Sequence, residues 1–177
     1  MDMYKKVIDG ELVIKRKEDI TVTANGMTTY HPLEEQLLAD GWVRYEYTDE
    51  QKAQIALLEA KRIKAKAIND YDTSAAVNLF YYQSMPMWLD KATRAGLLLR
   101  FQAEKAQELV STCLWYNRVQ YTLPVDQAIQ MLYAIELYAS ACYDNTQRHL
   151  AAVNAMTTVE EIENYDHTVG YPEKLNF

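Results

Sequence analysis

Leu114-Trp115-Tyr116-Asn117-Arg118-Val119-Gln120-Tyr121-Thr122-Leu123-Pro124 decides the fold class. Its aromatic and β-branched residues favour extended backbone, and a two-residue loop at Asn117-Arg118 would set Tyr116 opposite Val119 and Leu114 opposite Tyr121. Arginine is an awkward choice there, because a type I′ turn needs positive φ at both central positions. A longer loop is the alternative. Directly after this segment, Pro124 opens the longest helical pattern in the chain, to about Met156. Val125, Ile129, Leu132, Ile135, Ala139, Cys142, Leu150 and Val153 form its apolar stripe. A hairpin feeding a long amphipathic helix predicts segregated strands and helices, an α+β chain.

Working backwards, Asp90 is a helix N-cap. A helix is predicted from Lys91 to about Val110, with Ala95, Leu98, Leu99, Ala106 and Leu109 on its buried face. Leu79-Phe80-Tyr81-Tyr82 and Met87-Trp88-Leu89 are strand-like runs around Ser84-Met85-Pro86. At the far end, Thr158-Val159-Glu160-Glu161 caps a short helix, and the tail from Gly170 is extended. The long helix, at about 1.5 Å per residue, spans about 48 Å. That exceeds what a small domain needs, so its distal part should pack on another segment or another subunit.

The first part of the chain has a different character. Val7-Ile8-Asp9-Gly10-Glu11-Leu12 carries Asp-Gly between apolar runs, a strong hairpin signal that pairs Val7 with Leu12. Asn25-Gly26 repeats the device and pairs Val22 with Thr29. Pro32 opens a short helix with Glu34 and Glu35 in its first turn. Gly41 stops it, which lets Trp42 pack back on Leu37. Val43-Arg44-Tyr45-Glu46-Tyr47 alternates like a strand. Thr48-Asp49-Glu50-Gln51 is then a capping box for a helix to about Asn69. Ala53, Ala56, Ala60, Ile63 and Ala67 are spaced 3-4-3-4 along it. That is a thin heptad seam, open to self-association or to packing on its own domain.

The expected organisation is therefore a small N-terminal β-hairpin module (1–47), a connector helix (48–69), and a mainly helical C-terminal domain with two short β-hairpins (70–177). Composition narrows the function. Net charge is −7 over 177 residues, which argues against nucleic acid as a partner. No apolar run approaches the roughly eighteen residues of a membrane span, and the start lacks the apolar core of a signal peptide. Cys113 and Cys142 form no motif and read as buried free thiols. Fourteen tyrosines suit either protein contact surfaces or sheet faces and helix flanks.

Catalytic constellations are missing from the sequence. His31, His149 and His167 have no ligand-spaced Cys, His or carboxylate, so neither a metal nor another cofactor is expected. The five glycines stand alone, so there is no phosphate loop. Cys142 and His149 lie two helical turns apart, about 10 Å along the axis, too far for a thiolate–imidazole pair. Glu160, Glu161 and Glu163 read as a charged, capped helix face. A non-enzymatic role follows.

Several blocks resemble phage proteins. Tyr30-His31-Pro32-Leu33-Glu34-Glu35-Gln36-Leu37-Leu38-Ala39-Asp40-Gly41-Trp42 resembles an N-terminal module of phage-encoded proteins. Met85-Pro86-Met87-Trp88-Leu89-Asp90-Lys91-Ala92-Thr93-Arg94 resembles a motif of a family of unknown function. That family occurs in phages and prophages of gut Bacteroidales, crass-like phages included, and at the ends of tail-fibre-associated proteins. Leu114-Trp115-Tyr116, Thr122-Leu123-Pro124-Val125-Asp126 and Gly170-Tyr171-Pro172-Glu173-Lys174-Leu175 resemble it too. Asn117-Arg118 departs from the Asn-Gly expected at that turn.

The resemblance implies a virion-associated, non-catalytic role: a head-fibre or fibre-base structural protein bound to a capsid or fibre protein, or a tail-fibre assembly chaperone. A host-glycan-degrading enzyme would need a carboxylate pair that is not present. The expected location is the virion, after synthesis in the bacterial host cytoplasm. A homodimer is expected, through the connector or the long helix. The candidate contact residues are Tyr4, Tyr45, Tyr47, Ala53, Ala56, Ala60, Ile63 and Ala67. Trp42, Trp88 and Trp115 are each expected to have a local packing role.

Overall fold

The computed structural model describes residues 2–177. The chain is α+β and divides into two compact units, Met1–Ile55 and Ala56–Phe177.

In the first unit, β1 (Met3–Ile8) and β2 (Glu11–Arg16) form a hairpin in which Val7 faces Leu12. A second hairpin, β3 (Thr21–Ala24) and β4 (Met27–Tyr30), sets Val22 against Thr29. Both turn on a left-handed pair, Asp9-Gly10 and Asn25-Gly26, as a type I′ turn requires. Helix α1 (Glu34–Ala39) ends in a Schellman motif. Gly41 has φ +85°, its N–H donates to the Leu38 carbonyl, and the Trp42 N–H donates to the Leu37 carbonyl at 2.9 Å. That geometry folds Trp42 onto Leu37, and the two share the core with Tyr4, Ile20 and Val22. Strand β5 (Val43–Tyr45) then pairs antiparallel with β1, giving the sheet order β2-β1-β5.

Helix α2 (Asp49–Asp72) starts on a reciprocal cap. The Gln51 N–H donates to Thr48 Oγ1, and Gln51 Oε1 accepts from the Thr48 N–H. The helix runs three residues past the predicted end, and most of it belongs to the second unit. There it leans on its own unit through Leu57, Ala60 and Ile68, which meet Leu150, Val153 and Ile162.

The second unit has two further hairpins, β6 (Phe80–Tyr82) with β7 (Met85–Met87) and β8 (Ser111–Tyr116) with β9 (Val119–Pro124). The first departs from expectation. Its turn is Gln83-Ser84, and Pro86 lies inside a strand, opposite Tyr81. The edge position of β7 tolerates proline because no neighbour needs its amide. The second hairpin does use the two-residue turn. Asn117 and Arg118 take φ +48° and +68°, and Tyr116 faces Val119. A left-handed non-glycine costs about 1–2 kcal/mol, so the strand ladders and the core beneath must hold these two turns.

Helix α3 (Lys91–Ala106) is capped by Asp90, whose carboxylate accepts from the Thr93 N–H at 2.8 Å. It ends earlier than predicted, because Glu108 turns left-handed (φ +58°) and the Leu109 N–H folds back to the Glu104 carbonyl. Its buried face is also shifted. Arg94 and Phe101 are enclosed and Leu97 and Leu98 partly so, whereas Leu99 and Leu109 are exposed. Phe101 is the largest apolar side chain on the helix, and burying it rotates Leu99 outward.

Helix α4 (Val125–Ala155) is the axis of the unit. Its first half packs on α3 and both hairpins. Its distal half finds its partners within the same unit. These are Val77 and Tyr71 beside Tyr138 and Cys142, then α2 and α5 (Val159–Asn164) around Val153. The tail closes the unit. Tyr81 donates to the Leu175 carbonyl and accepts from the Phe177 N–H, and Gln83 donates to the Phe177 carbonyl. The chain end thus adds a parallel partner to β6 at Asn176.

Candidate functional site

Polar groups that could carry chemistry are tied into the fold. His149 is buried on α4. Its Nδ1 lies 2.6 Å from the Tyr165 hydroxyl and its Nε2 lies 2.9 Å from the Val169 carbonyl. With the proton on Nε2 the ring donates to that carbonyl and Nδ1 accepts from Tyr165, and Asn145 Nδ2 also lies 3.1 Å from Nε2. Asn145 donates to the same carbonyl at 2.9 Å. One turn away, Thr146 Oγ1 joins Asp72 Oδ1 at 2.7 Å and the Tyr171 hydroxyl at 2.9 Å. Gly170 sits so close to Asn145 that a Cβ there would lie 2.9 Å from its Oδ1. This network fastens residues 165–171 to α4, and both His149 nitrogens are spent on it.

Cys142 is buried and its thiol is pushed up by desolvation, which leaves it protonated and unreactive. Neither cysteine is in a disulfide. Among the described residues no group of three or more His, Cys, Asp or Glu converges as a metal site, and no helix is long and apolar enough to cross a membrane.

The concavities are shallow. One of about 400 Å³ in the first unit is lined by Asp2, Arg16, Lys17, Glu18, His31, Pro32 and Leu33. Its charges are mixed, and Arg16 already pairs with Glu18. Another of about 350 Å³ lies between α3 and α4 beside Arg94 and Glu136. Arg94 is committed there. Its Nε meets Glu136 at 2.8 Å, Nη1 meets the Leu89 carbonyl at 2.7 Å, and the guanidinium stands 5.5 Å from the Trp88 ring centre.

The distinctive surface is the outer face of the β2-β1-β5 sheet. Residues directly opposite in antiparallel strands share a face. The register therefore groups Met3, Lys5 and Val7 with Leu12, Ile14 and Arg16 on one side and Val43 and Tyr45 on the other. Tyr4 and Lys6 point to the opposite, core side. A small antiparallel sheet usually turns a polar face to water. Here Val7, Leu12 and Val43 are 64%, 60% and 54% exposed. Tyr45 extends the patch, with the Tyr47 ring edge-on at 5.2 Å, the Lys5 ammonium 5.4 Å from its ring and its hydroxyl donating to Gln51.

The expected contact residues are thus redistributed. Tyr45 and Tyr47 lie at the apolar face, half-buried against each other. Tyr4 is a correction. It is a core residue, 1% exposed, with its hydroxyl on Glu34, and it cannot reach a partner. On α2, Ala53, Ala56 and Ile63 are exposed, but Ala60 packs against the Ile68 cluster and Ala67 is half-buried. The seam is not one open face, because Leu57 and Ile68 turn the helix toward its own unit. The sequence pattern missed Val7, Leu12 and Val43 as surface residues. The available signal was the alternation along β1, which puts Val7 on the face opposite Tyr4 and Lys6.

The tryptophans divide three ways. Trp42 is core. Trp88 is half-buried between two clusters, edge-on to Tyr138 at 6.4 Å. Trp115 overturns the packing expectation. It lies on the outward face of β8 opposite Gln120 and is 60% exposed, because Leu114 and Tyr116 take the inward positions. Replacing Trp88 with alanine should lower stability by about 2–3 kcal/mol, below the range for fully enclosed aromatics. Thermal unfolding measures this, and an unchanged melting temperature would show that the indole is not packed.

Neither a protein-family model, nor a curated protein, nor a solved structure matches this chain.

Proposed function

We propose that this protein is a non-enzymatic virion structural component of a bacteriophage, of the head-fibre or fibre-base kind, that attaches one virion protein to another. The observation that carries this reading is the apolar outer face of the β2-β1-β5 sheet. Isolated exposed apolar side chains are ordinary, but Val7, Leu12, Val43 and Tyr45 grouped around Lys5 on one face of a regular sheet mark a contact surface. The resemblance of the Tyr30–Trp42 and Met85–Arg94 segments to phage proteins supplies the context. The acidic balance favours a capsid or fibre protein over nucleic acid as the partner.

In this reading residues 1–47 dock through Val7, Leu12, Val43 and Tyr45, and the protein is made in the host cytoplasm and ends in the virion. The same exposed face would also suit a tail-fibre assembly chaperone that covers a client and then leaves. Quantitative mass spectrometry of purified virions separates the two. A fixed copy number per particle supports the structural role, and absence supports the chaperone. A Val7→Glu/Val43→Glu variant should fold normally, since substitutions at exposed positions stay within about 0.5 kcal/mol, yet fail to enter particles. Incorporation at the wild-type level would rule out this face as the docking surface.

A further inference from the structure

The β2 strand has an open edge, and its register with β1 fixes which groups face outward. Ile8 and Glu11 flank the two-residue turn as a hydrogen-bonded pair. Alternation then makes Lys6–Val13 and Tyr4–Lys15 hydrogen-bonded and leaves Leu12, Ile14 and Arg16 opposite non-bonded partners. The N–H and C=O groups of Leu12, Ile14 and Arg16 therefore point away from β1. Among the described residues none of them has a backbone partner, and β2 pairs with no strand but β1. The strand carries no proline and keeps a regular register along its length, so nothing in its backbone blunts the edge.

We propose that this edge pairs antiparallel with the same edge of a second copy, about a twofold axis passing Val13. In that register Leu12 lies opposite the partner's Ile14 as a hydrogen-bonded pair on the apolar face. On the other face Glu11 lies opposite the partner's Lys15. Symmetry repeats both, so the contact holds two apolar pairs, two opposite-charge pairs and four backbone hydrogen bonds. A slip of two residues either way destroys the match, setting Lys15 or Glu11 opposite Val13. Opposite charges and apolar pairs facing each other across strands stabilise pairing, and the register makes this edge its own complement. The product is a continuous six-stranded sheet whose outer face carries Val7, Leu12, Ile14 and Val43 twice. This gives the expected homodimer a surface away from α2, and it stands independently of the virion reading.

Sedimentation equilibrium of the full chain tests it. The expected mass is about 41 kDa, twice the 20.5 kDa of one chain. Ile14→Pro removes an outward amide while leaving the β1 ladder intact, and should give a monomer with a preserved circular dichroism spectrum. Glu11→Lys and Lys15→Glu each place like charges opposite twice and should raise the dissociation constant about ten-fold. The double exchange should restore the wild-type value. A chain that stays monomeric at micromolar concentration overturns the proposal. So does a dimer indifferent to the charge variants, whether or not Ile14→Pro folds.

Discussion

Phe101→Ala is expected to lower the stability of the C-terminal unit by about 3–5 kcal/mol, the range for aromatic truncation in a closed core. The corresponding fall in melting temperature is on the order of 10–20 °C. Phe101 is fully enclosed on α3, in one cluster with Phe80, Leu114, Leu132 and Ile135. These residues come from two hairpins and α4, so no single neighbour can move into the void. Leu99→Ala, two residues away on the exposed side, should change stability by less than about 0.5 kcal/mol. The pair of variants measures which face of α3 is buried. Similar losses at both positions would refute the assignment.

Removing residues 171–177 is expected to cost somewhat more, about 6 kcal/mol. Tyr171, Leu175 and Phe177 are each half-buried, worth about 1 kcal/mol apiece. The three backbone bonds to Tyr81 and Gln83 add about 1 kcal/mol each when made in a shielded place. Phe80, which meets the Phe177 ring edge-on at 5.9 Å, would be opened to water. Total stability of a domain is typically about 5–15 kcal/mol, so the truncated unit should be marginal. The checks are the urea midpoint and amide exchange. The Tyr81 and Gln83 N–H groups should lose protection first, while amides of the β1–β2 ladder keep theirs. An unchanged midpoint would mean that the tail contributes nothing to the fold.

What the sequence made legible is local and stereochemical. Asp9-Gly10 and Asn25-Gly26 specified not only hairpins but their registers, because only a type I′ turn fits those residues between those strands. Gly41 before Trp42 foretold a left-handed cap and the back-packing that follows. Thr48 with Gln51 and Thr158 with Glu161 form reciprocal caps as read.

The misreadings share another cause. Gln83-Ser84 is a turn in which packing around the hairpin overrides intrinsic backbone preference, whereas the two-residue loop read at Asn117-Arg118 forms despite the awkward arginine. On α4, Asn145, Thr146 and His149 sit at buried positions that the apolar stripe did not include. Their partners Asp72, Tyr165, Val169 and Tyr171 lie on other segments that no helical period can reveal. The candidate site was half legible. Alternation in Val43–Tyr47 marked Tyr45 and Tyr47. The apolar character of the sheet's outer face emerged only once the β1–β5 pairing had placed Val43 beside Lys5 and Val7.

The pairing of the tail with β6 has a consequence for how the chain matures. Hairpins closed by two-residue turns form within microseconds, and contacts between distant segments come later because their loop entropy must be overcome first. Each hairpin here can close as soon as it emerges from the ribosome. The strand Phe80–Tyr82 cannot be completed on its open side until residues 175–177 have been made and have left the ribosome. For that interval the nascent unit carries an unsatisfied edge next to an exposed Phe80, the kind of surface that chaperones recognise and that promotes aggregation. Folding of this unit therefore includes a late zipping step, in which residues 175–177 seal an edge formed much earlier in the chain.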